Sequence, residues 1–364
     1  VLILHGRARA AGPAHPLNDT TDRASPGRAG GRIPELDALR GVAALAVVLY
    51  HLVGGHLEVE GRSPLAALLI GLGAYGVQLF FIISGFVILM TVENKARPRD
   101  FVVARGVRLY PTYWAAVLLA SALSATGAVP DHPVTPSQVV VNLTMLQHFF
   151  KVEDVDGAYW TLARELAFYG FMFLVMVLGL VRRIEVVCAV WLGVCFAHAL
   201  GGRAGLVGFH ARVETVMMVR TFHLFVAGMM FHRLRSAGHA WSRHLLIGLV
   251  PIYELLRGTG ESLVVVVVLL AVFHALVHDR LRRIAVAPLV FLGSVSYALY
   301  AVHESAGTAA VLALERLGLG ARAAEALAIL ACIGLAWAIT RGLERARRRR
   351  HRPRRGARHG HNPP

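Results

Sequence analysis

The feature that most limits the fold is a succession of ten apolar segments, near residues 36–57, 70–92, 109–127, 159–181, 184–200, 221–234, 244–257, 262–278, 288–315 and 322–341. A helix needs about 20 mostly apolar residues to cross the roughly 30 Å hydrocarbon core of a bilayer. Inside lipid, only a helix or a closed barrel satisfies every backbone polar group. Several segments reach that length, while 221–234 and 244–257 are short. The chain is 56% hydrophobic and only 16% charged, with a mean hydropathy of +0.56. That leaves too little polar surface to cover a soluble protein of 364 residues. The expected fold is an all-α, polytopic transmembrane helix bundle of about ten spans.

Charge sets the orientation. A net charge of +16 could suit nucleic acid, but the basic residues gather at the ends of apolar segments and in the tail. Cytoplasmic loops and anionic headgroups favour that placement. With the N-terminus inside, one set of loops carries Lys95, Arg97, Arg99, Arg105 and Arg108, then Arg182 and Arg183, then Arg233, Arg235 and Arg243, then Arg280, Arg282 and Arg283. The opposite loop 128–158 is nearly free of cations and holds Asp131, Glu153, Asp154 and Asp156. Loop 201–220 departs from the pattern, with Arg203, Arg212 and Arg220. Both termini are therefore expected to be cytoplasmic. The Ala, Gly and Arg bias suits a high-GC bacterial gene, hence a bacterial inner membrane.

Residues 1–31 read as a disordered leader, 32–341 as the membrane domain, and 342–364 as a basic, disordered cytoplasmic tail ending "RARRRRHRPRRGARHGHNPP". Nothing after the tenth span reads as an added acceptor-binding module. Cys188, Cys195 and Cys332 form no ligand cluster, and no metal is expected. No Walker loop, dinucleotide fingerprint or Gly-x-Ser-x-Gly elbow is present, and "GLGAYG" (Gly71–Gly76) reads as a helix start.

Ionisable groups inside spans are costly and point to function by default. In "RGVAALAVVLYH", Arg40 and His51 stand eleven residues apart. That is close to three helical turns, so both face one way, about 16 Å apart. Arg40 reads either as a snorkelling anchor or as an anion grip. His51, near mid-membrane, reads either as an interhelical hydrogen bond or as a reactive group. Together they suit a long ligand, anionic at one end and reactive at the other.

The same stretch, "ELDALRGVAALAVVLYH", resembles the opening helix of the acyltransferase-3 family of integral membrane acyl-CoA-dependent O-acyltransferases, with its Arg-x10-His pattern. "GVQLFFIISGFVI" (76–88) is similar to the family's Phe-Phe-x-x-Ser-Gly element, and "ARGVRLYPTYW" (104–114) to its Arg-x-x-Arg-x-x-Pro element. "YWTLARELAFY" (159–169) and "FLGSVSYALYAVH" (291–303) resemble two later ones. The five run in order across residues 35–303. One departure is Arg164, where the family more often has a neutral or apolar residue. Residues 184–286 match nothing specific.

The resemblance implies transfer of an acyl group, often acetyl, from cytoplasmic acyl-CoA to a hydroxyl of a carbohydrate, glycolipid or natural product. The donor's phosphates need Arg, which grips them in bidentate fashion; Arg40, Arg105 and Arg108 are the expected grip, or else topology charges. Ser84 and Gly85 would border the pantetheine arm, or pack helices. His51 and Glu165 are the expected catalytic residues, His51 as base or acylated nucleophile. Glu165 is alternatively one half of a structural salt bridge. Trp160, Ser296, Tyr297, Tyr300 and His303 are expected to support them, or to hydrogen-bond between helices, the reading also given to His223 and His274. The rival functions are a transporter of a small anion or acylated compound, and a non-catalytic scaffold. A transporter should show internal repeats, and none is visible. Membrane lipids are expected partners; nucleic acid is not.

Overall fold

A computed structural model describes residues 33–54, 64–95, 97–129, 133–203, 218–257 and 260–350. The leader 1–31, Asp131, Arg212 and residues 351–364 of the tail lie outside the described residues. The described residues are helical, without a strand. The helices are α1 (Pro34–Gly54), α2 (Pro64–Gly71), α3 (Gly76–Glu93), α4 (Pro98–Ala125), α5 (Pro136–Asn142), α6 (Gln147–Phe150), α7 (Tyr159–Val177), α8 (Ile184–Arg203), α9 (Phe222–Ala237), α10 (Trp241–Arg257), α11 (Gly260–Val277), α12 (Ala287–Arg316) and α13 (Ala321–Arg350). All ten apolar segments fall on long helices. Among the described residues, six stretches are long and apolar enough to cross a membrane: Pro34–Gly54, Leu72–Glu93, Tyr159–Val177, Leu180–Gly201, Gly260–Val277 and Ala321–Arg349. This is a multi-pass membrane protein.

Three boundaries differ from the sequence expectation. α4 begins at Pro98, after an extended Arg97, because proline is pre-organised for a helix's first turn. Arg105 and Arg108 therefore sit inside the helix, one turn apart. α13 continues through Arg350, nine residues beyond the 341 boundary, so the first part of the tail is helical. Loop 128–158 contains α5 and α6. Thr135 and Gln138 form a capping box at the start of α5. The segment folds onto the bundle: Asn142 and Gln147 are fully buried, Tyr110 Oη donates to the Thr144 carbonyl (3.0 Å) and Trp114 Nε1 to that of Leu143 (2.9 Å).

Two helix crossings organise the rest. At α1–α12, Gly41 faces the Leu289 carbonyl and Gly293 faces that of Asp37; at α3–α9, Gly85 faces Phe225 and Gly228 faces Ile82. A Cβ at any of these would collide with backbone, so small residues permit the close approach that packs membrane helices. α9 is buried along almost its whole length. Enclosed by protein, it needs neither great length nor high hydropathy.

Several charged ends meet on one side. Glu93 binds His232 Nε2 (2.7 Å) and Arg233 Nη1 (2.9 Å). Glu185 binds Arg243 Nε (2.8 Å), and Arg235 binds Asp279 (3.1 Å). Arg347 from α13 donates to the Val107 carbonyl in α4.

Candidate active site

One cavity lies among α1, α3, α4, α7 and α12. It is lined by Arg40, Ser84, Arg105, Arg108, Thr161, Glu165, Tyr169, Ser296, Tyr297 and Tyr300, among apolar neighbours. Three guanidinium groups face it and one carboxylate, an imbalance suited to an anion. Arg105 packs against two rings, its guanidinium carbon 5.7 Å from the Phe101 centroid and 5.8 Å from that of Tyr169. Its Nη2 donates to Thr91 Oγ1 (2.8 Å), while its buried Nε has no partner among the described residues. The Tyr297 hydroxyl is likewise buried and unpartnered. Unspent donors of this kind are costly unless a ligand completes them.

Glu165 belongs to this cavity. Its Oε1 accepts from Ser84 Oγ (2.9 Å) and from Tyr169 Oη (2.5 Å). Its side chain is thus engaged by Ser84 and Tyr169 and, among the described residues, not by a cation of a salt bridge or by His51. The reason is where α7 starts: Tyr159 Oη donates to the Ala301 carbonyl (3.3 Å) and Thr161 Oγ1 to Tyr300 Oη (2.8 Å). α7 therefore begins level with the middle of α12 and carries Glu165 back toward the arginines.

His51 instead meets a carboxylate that the sequence analysis passed over. Its Nδ1 lies 4.0 Å from Glu304 Oε2, and its ring centroid lies 5.1 Å from that of His303. The donor atoms of His51, His303 and Glu304 all fall within 4.8 Å of one another. Such a group could also surround a cation, although the sequence led us to expect no metal. His303 is fully buried. Its Nδ1 is 2.7 Å from the Tyr300 carbonyl, which fixes the proton there and turns a bare Nε2 into the cluster. Glu304 Oε2 also lacks a hydrogen-bond partner among the described residues. Behind it, Asp156 Oδ2 takes hydrogen bonds from Ser305 N (3.0 Å) and Ser305 Oγ (2.5 Å), locking the turn before α7 onto α12.

The two groups are linked. Tyr300 lines the cavity, and its ring centroid lies 5.4 Å from that of His303. Of the other expected residues, Ser296 lines the cavity and bonds its own helix at the Gly293 carbonyl (2.8 Å). Gly85 does not border the cavity; it is spent on the α3–α9 contact. Trp160 stands outside it, under the Arg164 guanidinium at 5.2 Å. His223 is buried against Glu254 (2.8 Å), far along the chain from both groups. Glu304 was missed, though an ionisable residue inside an apolar run is itself a signal. Tyr169 and Thr161 were hidden within a quoted motif.

Residues 33–341 match the sequence model of a family described as an acyltransferase domain. The chain is 29% identical over 306 residues to the exopolysaccharide production protein ExoZ of Rhizobium meliloti (strain 1021), spanning 78% of this chain and 92% of that one. It is 29% identical over 145 residues to the acyltransferase MdmB of Streptomyces mycarofaciens, 38% of each. Over 92 residues it is 38% identical to protein 2 in the picA locus of Rhizobium radiobacter, 24% of this chain and 43% of that one. No solved structure matches.

Proposed function

This chain belongs to the acyltransferase-3 family and is a transferase, and we propose that it moves an acyl group, acetyl in the simplest case, from acyl-CoA to a hydroxyl. The acceptor class is a carbohydrate, glycolipid or natural product; the first accords with the exopolysaccharide in the name of ExoZ, and acyl transfer with the name of MdmB. The observation that carries this is one helix, α1, joining an arginine-lined cavity to the His51–Glu304 cluster three turns on.

Arg40, Arg105 and Arg108 take the phosphates of the donor. Glu165, through Ser84 and Tyr169, sets the walls of that cavity. The slender arm of the donor runs along α1 past Tyr297 and Tyr300, bringing the thioester toward His51. The acceptor hydroxyl then attacks the thioester carbonyl as His51 removes its proton. Glu304 stabilises the imidazolium that forms, as a carboxylate does beside a catalytic histidine. Collapse of the tetrahedral adduct breaks the C–S bond, and the proton on His51 passes to the departing thiolate, giving ester and free CoA. Orientation follows the loops: ten spans, the arginine-lined end of the bundle in the cytoplasm of a bacterial cell, and the first and last helices beginning and ending on that side.

The test uses purified protein with radiolabelled acetyl-CoA and a panel of hydroxyl acceptors. Changing Arg105 and Arg108 together to Ala should raise the donor KM and leave acceptor KM nearly unchanged; Lys should rescue poorly if the grip is bidentate. Unchanged donor kinetics in a correctly inserted protein would return both to the role of topology charges.

A further inference from the structure

A second cavity, a groove of about 1070 Å³, runs between α4, α7 and α8. Its walls are almost entirely apolar, and among the described residues its cations are Arg105 and Arg183. Leu174, Leu178, Val186 and Val190 stand more than half exposed there, a contiguous apolar patch of the kind that lipid or a partner covers.

Two glycines stand on its walls. Gly106 on α4 and Gly170 on α7 both line the groove, and a Cβ on either would meet nothing within 4 Å. Glycine in a helix interior costs about 1 kcal/mol against alanine. At Gly41, Gly85, Gly228 and Gly293 close packing explains that cost; Gly106 and Gly170 instead leave bare backbone on the wall of the groove. Along α7 the wall runs from Leu166 to Leu178, about 18 Å at 1.5 Å per residue. One leaflet of a roughly 30 Å hydrocarbon core is about 15 Å deep. The groove ends at the turn between α7 and α8, where Arg183 lines it and Arg182 is exposed beside it. A chain-length slot with guanidinium groups at one end complements a fatty chain bearing a phosphate.

We propose that this groove is a binding site for an anionic glycerophospholipid, one acyl chain lying along α7 and its phosphate at Arg183. The groove shares Arg105, Leu109 and Tyr169 with the arginine-lined cavity, so the bound chain forms part of the wall behind the donor site. The proposal rests on the membrane-spanning fold and not on acyl transfer.

Native mass spectrometry of the full chain, purified in detergent and titrated with phosphatidylglycerol or phosphatidylcholine, tests it without an activity readout. The wild type should retain phosphatidylglycerol in preference to phosphatidylcholine. Arg183→Gln should weaken phosphatidylglycerol retention about fivefold, the worth of one surface arginine to an anionic headgroup, and leave phosphatidylcholine unchanged. Gly170→Phe should reduce retention of both by filling the slot, and Gly106→Leu on the facing wall should repeat that result in an independent fold. Equal retention of the two lipids by the wild type would overturn the proposal. So would lipid adducts insensitive to all three substitutions, or a dimer that carries no lipid, which would assign the groove to a second copy of the chain.

Discussion

At His51 the imidazole meets a carboxylate across 4.0 Å, too far for a hydrogen bond and near enough for charge to matter. Glu304 is therefore suited to stabilise a proton once His51 has taken it. Glu165, already engaged by Ser84 and Tyr169, is suited to shape. The two glutamates should fail differently. Glu304→Gln should lower kcat by one to two orders of magnitude with donor KM nearly unchanged, while Glu165→Gln should act mainly on donor KM, measured by initial rates over a range of acyl-CoA. The reverse pattern would exchange their roles. That Arg105 and Arg108 share one helical face was legible in the sequence from their spacing; that Arg40 of α1 joins them at one cavity was not fixed by spacing along a single helix. The partners of Glu165 were not legible, because sequence gives no depth for the start of α7, which is set by contacts from Tyr159 and Thr161 to α12.

Among the elements, α3 and α9 depend on backbone contact at Gly85 and Gly228. The "SG" pair at Ser84–Gly85 has two readings in sequence, and structure divides them: Ser84 turns to Glu165, Gly85 to Phe225. Gly228→Ala places a methyl against the Ile82 backbone and should lower the melting temperature, since overpacking a dense core costs about 1–3 kcal/mol. Gly248→Ala, in α10 with open space around it, should be neutral or slightly stabilising. Similar thermal unfolding of the two variants would deny the crossing its importance. The existence of the long helices was legible from apolar runs. The early start of α4 and the folding of α5–α6 onto the bundle were not, because amphipathic and polar stretches gain their order from tertiary contacts such as Trp114 with Leu143.

For the whole molecule, the Arg-bearing ends gather on one side through the Glu93, Glu185 and Asp279 ion pairs. Reporter fusions after Asp154 should read as extracytoplasmic, and fusions after Arg183 and Arg350 as cytoplasmic; an external signal after Arg350 would contradict the ten-span arrangement. On the proposed function, three turns of α1, about 16 Å, separate donor grip from chemistry. Those two properties should therefore be separable in one protein. The direct measurement is acyl-CoA binding and acyl transfer on the same purified, folded His51→Ala preparation. The account predicts donor affinity within about twofold of wild type and transfer reduced on the order of 10²–10⁴-fold, the usual worth of a general base. Near-normal transfer by His51→Ala, with binding intact, would contradict it and leave His51 a packing residue.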